Sequence, residues 1–264
     1  MTAFAYYRLP YLHHAHYVAQ REGEPEVLSS VAELNGKEGF VIAPFSPSSD
    51  CPVLLIHPDE SKLLPISDAK AISTSDSTLG EDASDRDAYA GAFECFHQEL
   101  EKGTFRKIVL ARKATVRTAD KDFENLFMKA CRMYPRLFVS LVYTPQSGMW
   151  LMATPEILLK GEQGNMSTMS LAGTQKAEPS RTVADYPVEG VEWSHKNQEE
   201  QQYVTDYIED CIKAFADDYQ LKGPYTTMAA NLYHLRTDIS FRLRDEGRLG
   251  DVIDALYPTP AVCG

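Results

Sequence analysis

The stretch RLFVSLVYTPQSGMWLMAT, residues 136–154, sets two apolar runs on either side of the turn-forming tetrapeptide Pro145-Gln146-Ser147-Gly148. This pattern predicts a β-hairpin. A hairpin means antiparallel pairing, because two parallel strands need a long crossover between them. Outward from it, EILLKG (156–161) and NMSTMSLAGT (165–174) read as further strands. YHLRTDISFRL (233–243) alternates: Leu235, Thr237, Ile239, Phe241 and Leu243 point one way, and His234, Arg236, Asp238, Ser240 and Arg242 the other. On the N-terminal side, GFVIAPF (39–45) and CPVLLIHP (51–58) are short strands bounded by turns. TFRKIVLARKATV (104–116) reads as a strand with apolar neighbours on both faces.

Helical spacing appears between these strands. Tyr89, Phe93, Phe96 and Leu100 make one apolar stripe, with Gly103 placed to end its helix. A second helix covers about 121–133, with Phe123, Phe127, Ala130 and Cys131 facing inward and Pro135 just past its end. A long helix starts near Lys196, with Val204, Ile208, Cys211 and Phe215 as its stripe, and a short one lies around 249–256. Residues 71–87, rich in Ser and Asp, and the polar stretch 175–195 read as loops. The expected fold is α+β, with mainly antiparallel sheets and helices packed outside. The expected division is a β-rich N-terminal portion with its linker at 1–83, followed by a second portion at 84–264.

Composition narrows the function. The 264 residues are 44% hydrophobic and 24% charged, with a formal net charge of −12. An acidic balance argues against a nucleic-acid or anionic-membrane surface, which needs clustered Lys and Arg. Cys51, Cys95, Cys131, Cys211 and Cys263 show no metal or redox spacing, and Cys95 and Cys131 fall in apolar helical patterns that predict buried, reduced thiols. No apolar run approaches the ~20 residues that span a bilayer. The N-terminus lacks a basic segment followed by an apolar one. A cytoplasmic monomer acting on a small molecule is the expectation.

Four positions break the local pattern. Lys107 sits among apolar strand residues; it is either a lysine snorkelling to water or a partly desolvated amine available as a base. Glu156 follows Pro155 between two apolar runs, as an ordinary turn carboxylate or as a buried carboxyl with the raised pKa of a general acid. Glu200 falls on the apolar stripe of its own helix, four residues before Val204, with Asn197 on the same side. It is a helix N-terminal acid or an inward carboxylate seeking a cation, for which a hard divalent metal would serve. SLAGT (170–174) is a strand-ending turn or a place where backbone approaches a ligand closely. His234 reads as a surface histidine on the polar side of its strand.

FRKIVLAR, ATPEILLK, SLAGT, KNQEEQQYV, YHLRTDI and LYPTPAVCG occur in an order and spacing that resemble the chorismate-utilising enzymes, from about Ser84 to Gly264. Within that family the chain looks most like the isochorismate synthases of menaquinone or siderophore biosynthesis. The resemblance implies addition of water at C2 of chorismate and loss of the C4 hydroxyl, with Mg2+ and no redox or organic cofactor. It implies Lys107 as the base that activates water and Glu156 as the acid that protonates the departing hydroxyl. Glu200 becomes a Mg2+ ligand, and Gly173, Thr174, His234 and Ala261 lie beside the substrate. Lys107, where ammonia-using relatives carry glutamine, points to water as nucleophile. Salicylate synthases share this lysine and are the alternative, as is a non-catalytic chorismate-binding fragment. Gln201 stands where the family often has histidine, and little effect is expected. The family extends further at its C-terminal end and there carries a second metal carboxylate and the substrate's carboxylate clamp. The chain alone is therefore expected to be inactive or nearly so.

Overall fold

The computed structural model describes residues 2–66, 83–105, 107–115, 122–177, 187–229 and 232–261. In chain order come β1 (Ala3–Arg8), β2 (His14–Gln20), β3 (Glu26–Leu28), a 3-10 turn (Val31–Leu34), β4 (Phe40–Ile42), β5 (Val53–Ile56) and β6 (Glu60–Pro65). Helices α1 (Ala83–Glu101) and α2 (Phe123–Met133) precede β7 (Phe138–Thr144), β8 (Gly148–Thr154), β9 (Lys160–Glu162) and β10 (Asn165–Lys176). Helix α3 (His195–Lys213), β11 (Tyr219–Ala229), β12 (Leu232–Arg242) and α4 (Leu249–Leu256) follow. The fold is α+β with antiparallel sheets, as expected.

The hairpin at 136–154 forms: Phe138 pairs with Thr154 and Leu141 with Leu151. The Ser147 N–H donates to Thr144 Oγ1 at 2.9 Å and closes the turn. The hairpin is one edge of a five-stranded sheet ordered β6-β2-β1-β7-β8. On one face, Phe127, Met128 and Cys131 of α2 pack against Ala15, Val139 and Leu141. On the other, Ala5, Val18 and Val142 meet Ile56, Phe40 and Ile42 of a three-stranded sheet ordered β3-β5-β4. Because β1, β2 and β6 share their sheet with β7 and β8, the division at 83/84 crosses a hydrogen-bonded layer.

The third sheet, ordered β11-β12-β10-β9, carries α3, and α4 packs against that helix. Val204, Ile208 and Ile212 are buried against Ile239, Phe241, Val252 and Leu256. Each such aliphatic side chain contributes about 1.5–3 kcal/mol relative to exposure. Ile253 of α4 packs into the Leu28, Val31, Leu34 and Leu55 cluster, which joins the small sheet to this layer.

Arg8 holds the N-terminal sheet to α2. It is 2% exposed, and its guanidinium donates to the carbonyls of Tyr134 (2.6 Å), Pro135 (2.6 Å) and Leu137 (2.7 Å). A cation at a helix C-terminus meets the negative end of the helix dipole as well as these acceptors. Beside it, Cys131 is buried and in no disulfide, as expected, and burial pushes its thiol pKa up to about 11.

Several elements differ from the sequence reading. Residues 107–115 form no strand and belong to none of the three sheets. Their β-branched composition supplies strand preference, but a strand exists only through its ladder partners. Ile108, Val109 and Leu110 are half-buried, and 111–115 are exposed, so the segment is not covered on both faces. In α1, Tyr89, Phe93 and Leu100 are exposed and the most covered line is Ala92, Phe96 and Glu99; Cys95 is exposed, not buried. Phe123 is likewise exposed at the start of α2. EILLKG contributes only β9, and Glu156–Leu159 are irregular. SLAGT lies inside β10 rather than past a strand end. Of the loops expected at 71–87 and 175–195, residues 71–82 and 178–186 lie outside the described residues, while 83–87 belong to α1, 175–176 end β10, and His195 opens α3.

Candidate active site

The site is built where α3 crosses β10 and β12. Those two strands pair continuously except at one point: Ala172 faces Leu235 and Thr174 faces His234, which leaves Gly173 without a partner residue. This is a β-bulge, and Gly173 adopts a φ of 65° that side-chain-bearing residues disfavour. A Cβ at Gly173 would also stand 3.2 Å from Asn197 Cβ and 3.2 Å from Asn197 O, so the glycine lets α3 approach the bulge.

Gln201 fixes that approach. It is 2% exposed, and its Oε1 accepts the Ala172 N–H at 2.9 Å. Its Nε2 donates to Ser170 Oγ at 2.8 Å and Thr237 Oγ1 at 3.2 Å. Thr205 adds a 2.9 Å bond to the Gln201 carbonyl and a 2.7 Å contact with Ser170 Oγ. A buried amide whose donors and acceptor are all used contributes specificity as well as energy. Gln201 thus does more than the sequence reading assigned to it. The signal was present: Gln201, Val204, Thr205, Ile208 and Ile212 form the buried line of α3. Glu200, one position earlier, turns to the rim and is half-buried.

At that rim Glu200 meets Lys107. Lys107 Nζ lies 3.2 Å from Glu200 Oε1 and also donates to the Pro260 carbonyl. The segment Thr259–Ala261 links this pair to the second carboxyl: Thr259 Oγ1 donates to Glu156 Oε1 at 3.3 Å and accepts the Ala261 N–H at 3.3 Å. Burial raises the Glu156 pKa above the ordinary carboxylate value, with the Thr259 bond and the positive charge of Lys107 working weakly against it. Three residues of chain therefore gather Lys107, Glu156 and Ala261.

His234 and Thr174 form a neighbouring cluster on the bulge, with Thr174 Oγ1 3.3 Å from His234 Nδ1. Burial lowers the His234 pKa, partly offset by a hydrogen bond with the Gly173 backbone. His234 is half-buried rather than a plain surface residue. Asn197 connects the clusters, since it touches Gly173 and lies three residues before Glu200 on α3.

Two cavities flank this centre. One, of about 740 Å3, is lined by Lys107, Ile108, Glu200 and Tyr203. The other, of about 880 Å3, takes in Glu156, Arg136, Tyr225, Met228 and Arg236. Arg236 Nε donates to Asp238 Oδ1 at 2.7 Å, and the Tyr225 hydroxyl donates to Asp238 Oδ2 at 2.5 Å, which orients the guanidinium. Neither arginine was singled out from sequence. For Arg236 a signal existed, because it shares a strand face with His234 at spacing two.

The Mg2+ implied by the resemblance is not matched by these residues. Among the described residues, no group of three His, Cys, Asp or Glu side chains could hold a metal ion. The one expected ligand, Glu200, faces an ammonium group instead. Also among the described residues, no helix is long and apolar enough to cross a membrane.

A bulged antiparallel sheet crossed by a helix thus stands beside a lysine and a half-buried carboxyl held by one chain segment. The sequence profile of the family described as chorismate binding enzyme matches residues 55–264, and the chain belongs to that family. Its curated relatives include the salicylate biosynthesis isochorismate synthase of Pseudomonas aeruginosa, 28% identical over 185 residues, which span 62% of this chain and 35% of that protein. The isochorismate synthase EntC of Escherichia coli is 24% identical over 160 residues, spanning 60% and 41%. The matched stretch thus covers less than half the length of these relatives. Among solved structures, DhbC from Bacillus anthracis superposes with a TM-score of 0.74 at 19% identity, over 100% of this chain and 74% of that one. MenF, the menaquinone-specific isochorismate synthase from Escherichia coli, gives 0.66 at 16% identity, over 99% and 69%.

Proposed function

We propose that this chain carries the acid–base centre of an isochorismate synthase. The observation that supports it most is the convergence of Lys107 and Glu156 on Thr259–Ala261, with Glu156 held protonated more readily than an ordinary carboxylate. The reaction needs one group to take a proton and another to give one. Lys107, in the neutral amine form it reaches after giving up its own proton to solvent, takes a proton from the water that bonds to C2 of chorismate. The ring double bonds shift, the C4–O bond breaks, and Glu156 gives its proton to the leaving hydroxyl, which departs as water. Hydroxide is a poor leaving group, so a carboxyl whose pKa is raised by burial suits this step. Chorismate is a dicarboxylate, and Arg136 and Arg236 line the cavity that contains Glu156.

Calorimetric titration with chorismate, followed by chromatography of the products, tests the reading. Chorismate should bind to the chain. Whatever isochorismate forms should vanish in Glu156→Gln and Lys107→Gln while binding persists. Absence of chorismate binding overturns the proposal. Salicylate with pyruvate as products selects the salicylate synthase reading, and binding without any turnover selects a chorismate-binding role.

A further inference from the structure

Strand β12 runs between two bulges. Gly173 interrupts its pairing with β10, and on the other side the pairing with β11 jumps from Lys222 opposite Asp238 to Tyr225 opposite Arg236. Gly223 sits in this second interruption with a φ of 140°, and a Cβ there would stand 2.6 Å from the Arg236 carbonyl oxygen. The glycine lets β11 close on β12, and the bulge re-aims the side chain that follows. Tyr225 thus lies diagonally across from Asp238, and its hydroxyl donates to Asp238 Oδ2 at 2.5 Å. The other oxygen, Oδ1, accepts from Arg236 Nε at 2.7 Å and lies 2.5 Å from Nη2. With both oxygens engaged, Asp238 cannot turn without breaking one side of this arrangement.

The three residues are half-buried on the face of the sheet turned away from α3, since Thr237 and Ile239 point toward that helix. Among the described residues, the wall of the 880 Å3 cavity includes Arg236 and Tyr225 but not Asp238. Around them the wall is apolar, with Leu158, Met169 and Met228. In such a wall a few placed polar groups fix how a ligand lies. A guanidinium is a planar fork of five N–H donors that takes a carboxylate in its plane, provided the fork is held in direction. We propose that Arg236 receives one of the two carboxylates of chorismate, on the reading of the site given above, and that Asp238 and Tyr225 are the positioning residues that aim it.

Titration of chorismate into the whole chain and its variants tests this. Arg236→Lys keeps the charge but loses the fork, and should weaken binding about tenfold. Asp238→Asn separates positioning from charge. Removing an acid beside the guanidinium should tighten anion binding if charge alone mattered. Positioning requires the opposite, a loss of roughly fivefold, with about twofold for Tyr225→Phe. In an Arg236→Gln background, Asp238→Asn should change nothing further, whereas a general disturbance of the fold would weaken binding there as well. Unchanged binding in Arg236→Lys, tighter or unchanged binding in Asp238→Asn, or a loss that persists in the Arg236→Gln background overturns the proposal and leaves the acid–base reading standing. Absence of chorismate binding in the parent chain overturns both. Should Asp238→Asn disturb the fold, as judged by near-ultraviolet circular dichroism, Tyr225→Phe with and without Arg236→Gln makes the same comparison.

Discussion

Helices α1 and α3 are both 19 residues long, and both carry aromatic or aliphatic residues at helical spacing. Their fates differ. In α3 the line Gln201, Val204, Thr205, Ile208 and Ile212 is closed against β10 and β12. In α1, Phe93 is 54% exposed and Tyr89 and Leu100 are exposed with it. Both helices are well terminated: in α1 the Gly103 N–H donates to Leu100 O at 3.0 Å and the Thr104 N–H to Glu99 O at 3.1 Å, the Schellman arrangement. Local signals thus suffice to stop a helix. What separates the two is whether a second layer stands opposite the stripe, and the bulge at Gly173 and the Gln201 network provide that layer for α3 alone.

The contrast can be broken at several points. Ile208→Ala should cost about 2–5 kcal/mol in urea unfolding, because it leaves a cavity in a layer with no room to relax. A loss below 1 kcal/mol would mean that the α3 layer is far looser than its burial suggests. Gln201→Leu should cost about 1–3 kcal/mol, since it strands the Ala172 N–H and part of the Ser170 and Thr237 hydrogen bonding. A neutral outcome in the same unfolding series would show that shape at this position matters more than its bonds.

Glu156 offers a pH test. Burial favours its protonated form, so the folded chain keeps this proton at pH values where the unfolded chain has lost it. The contribution is full below the ordinary value of 4.5 and is lost as pH rises through the folded value. Relative to Glu156→Gln, the parent chain should therefore lose stability on going from pH 4 to pH 7. An unchanged difference across that range would place Glu156 in water. The smallest effect belongs to α1: Phe93→Ala should shift stability by no more than about 0.5 kcal/mol in the same urea series. A larger cost would reveal a covering layer on that helix in solution.

How much could be read in advance follows the same division. The 136–154 hairpin and the 233–243 alternation were legible because each strand carries its own pattern and a partner close in sequence. The strand expected at 104–116 failed because its pattern says nothing of which neighbour supplies the ladder. At the site, Lys107, Glu156 and Glu200 were identifiable as misplaced charges, and they do come together. Their meeting point on Thr259–Ala261 was not legible, since it depends on a contact across some 150 residues. Gln201 was passed over because a polar side chain in an apolar line looks like an interruption until its partners on β10 and β12 are seen.

The strand β1 has a consequence for how the chain comes to be folded. It is a middle strand, hydrogen-bonded to β2 on one side and to β7 on the other, with Phe4 opposite Tyr143. Strand β1 therefore cannot complete its sheet until β7 has emerged from the ribosome. During that interval β1 and β2 present an open edge, with Phe4 and Tyr6 still uncovered by their later neighbours Tyr143 and Phe127. Distant pairings of this kind are slow to form and expose chains to association while they wait. The length of that wait, rather than the stability of the finished sheet, sets how prone the nascent chain is to misassembly.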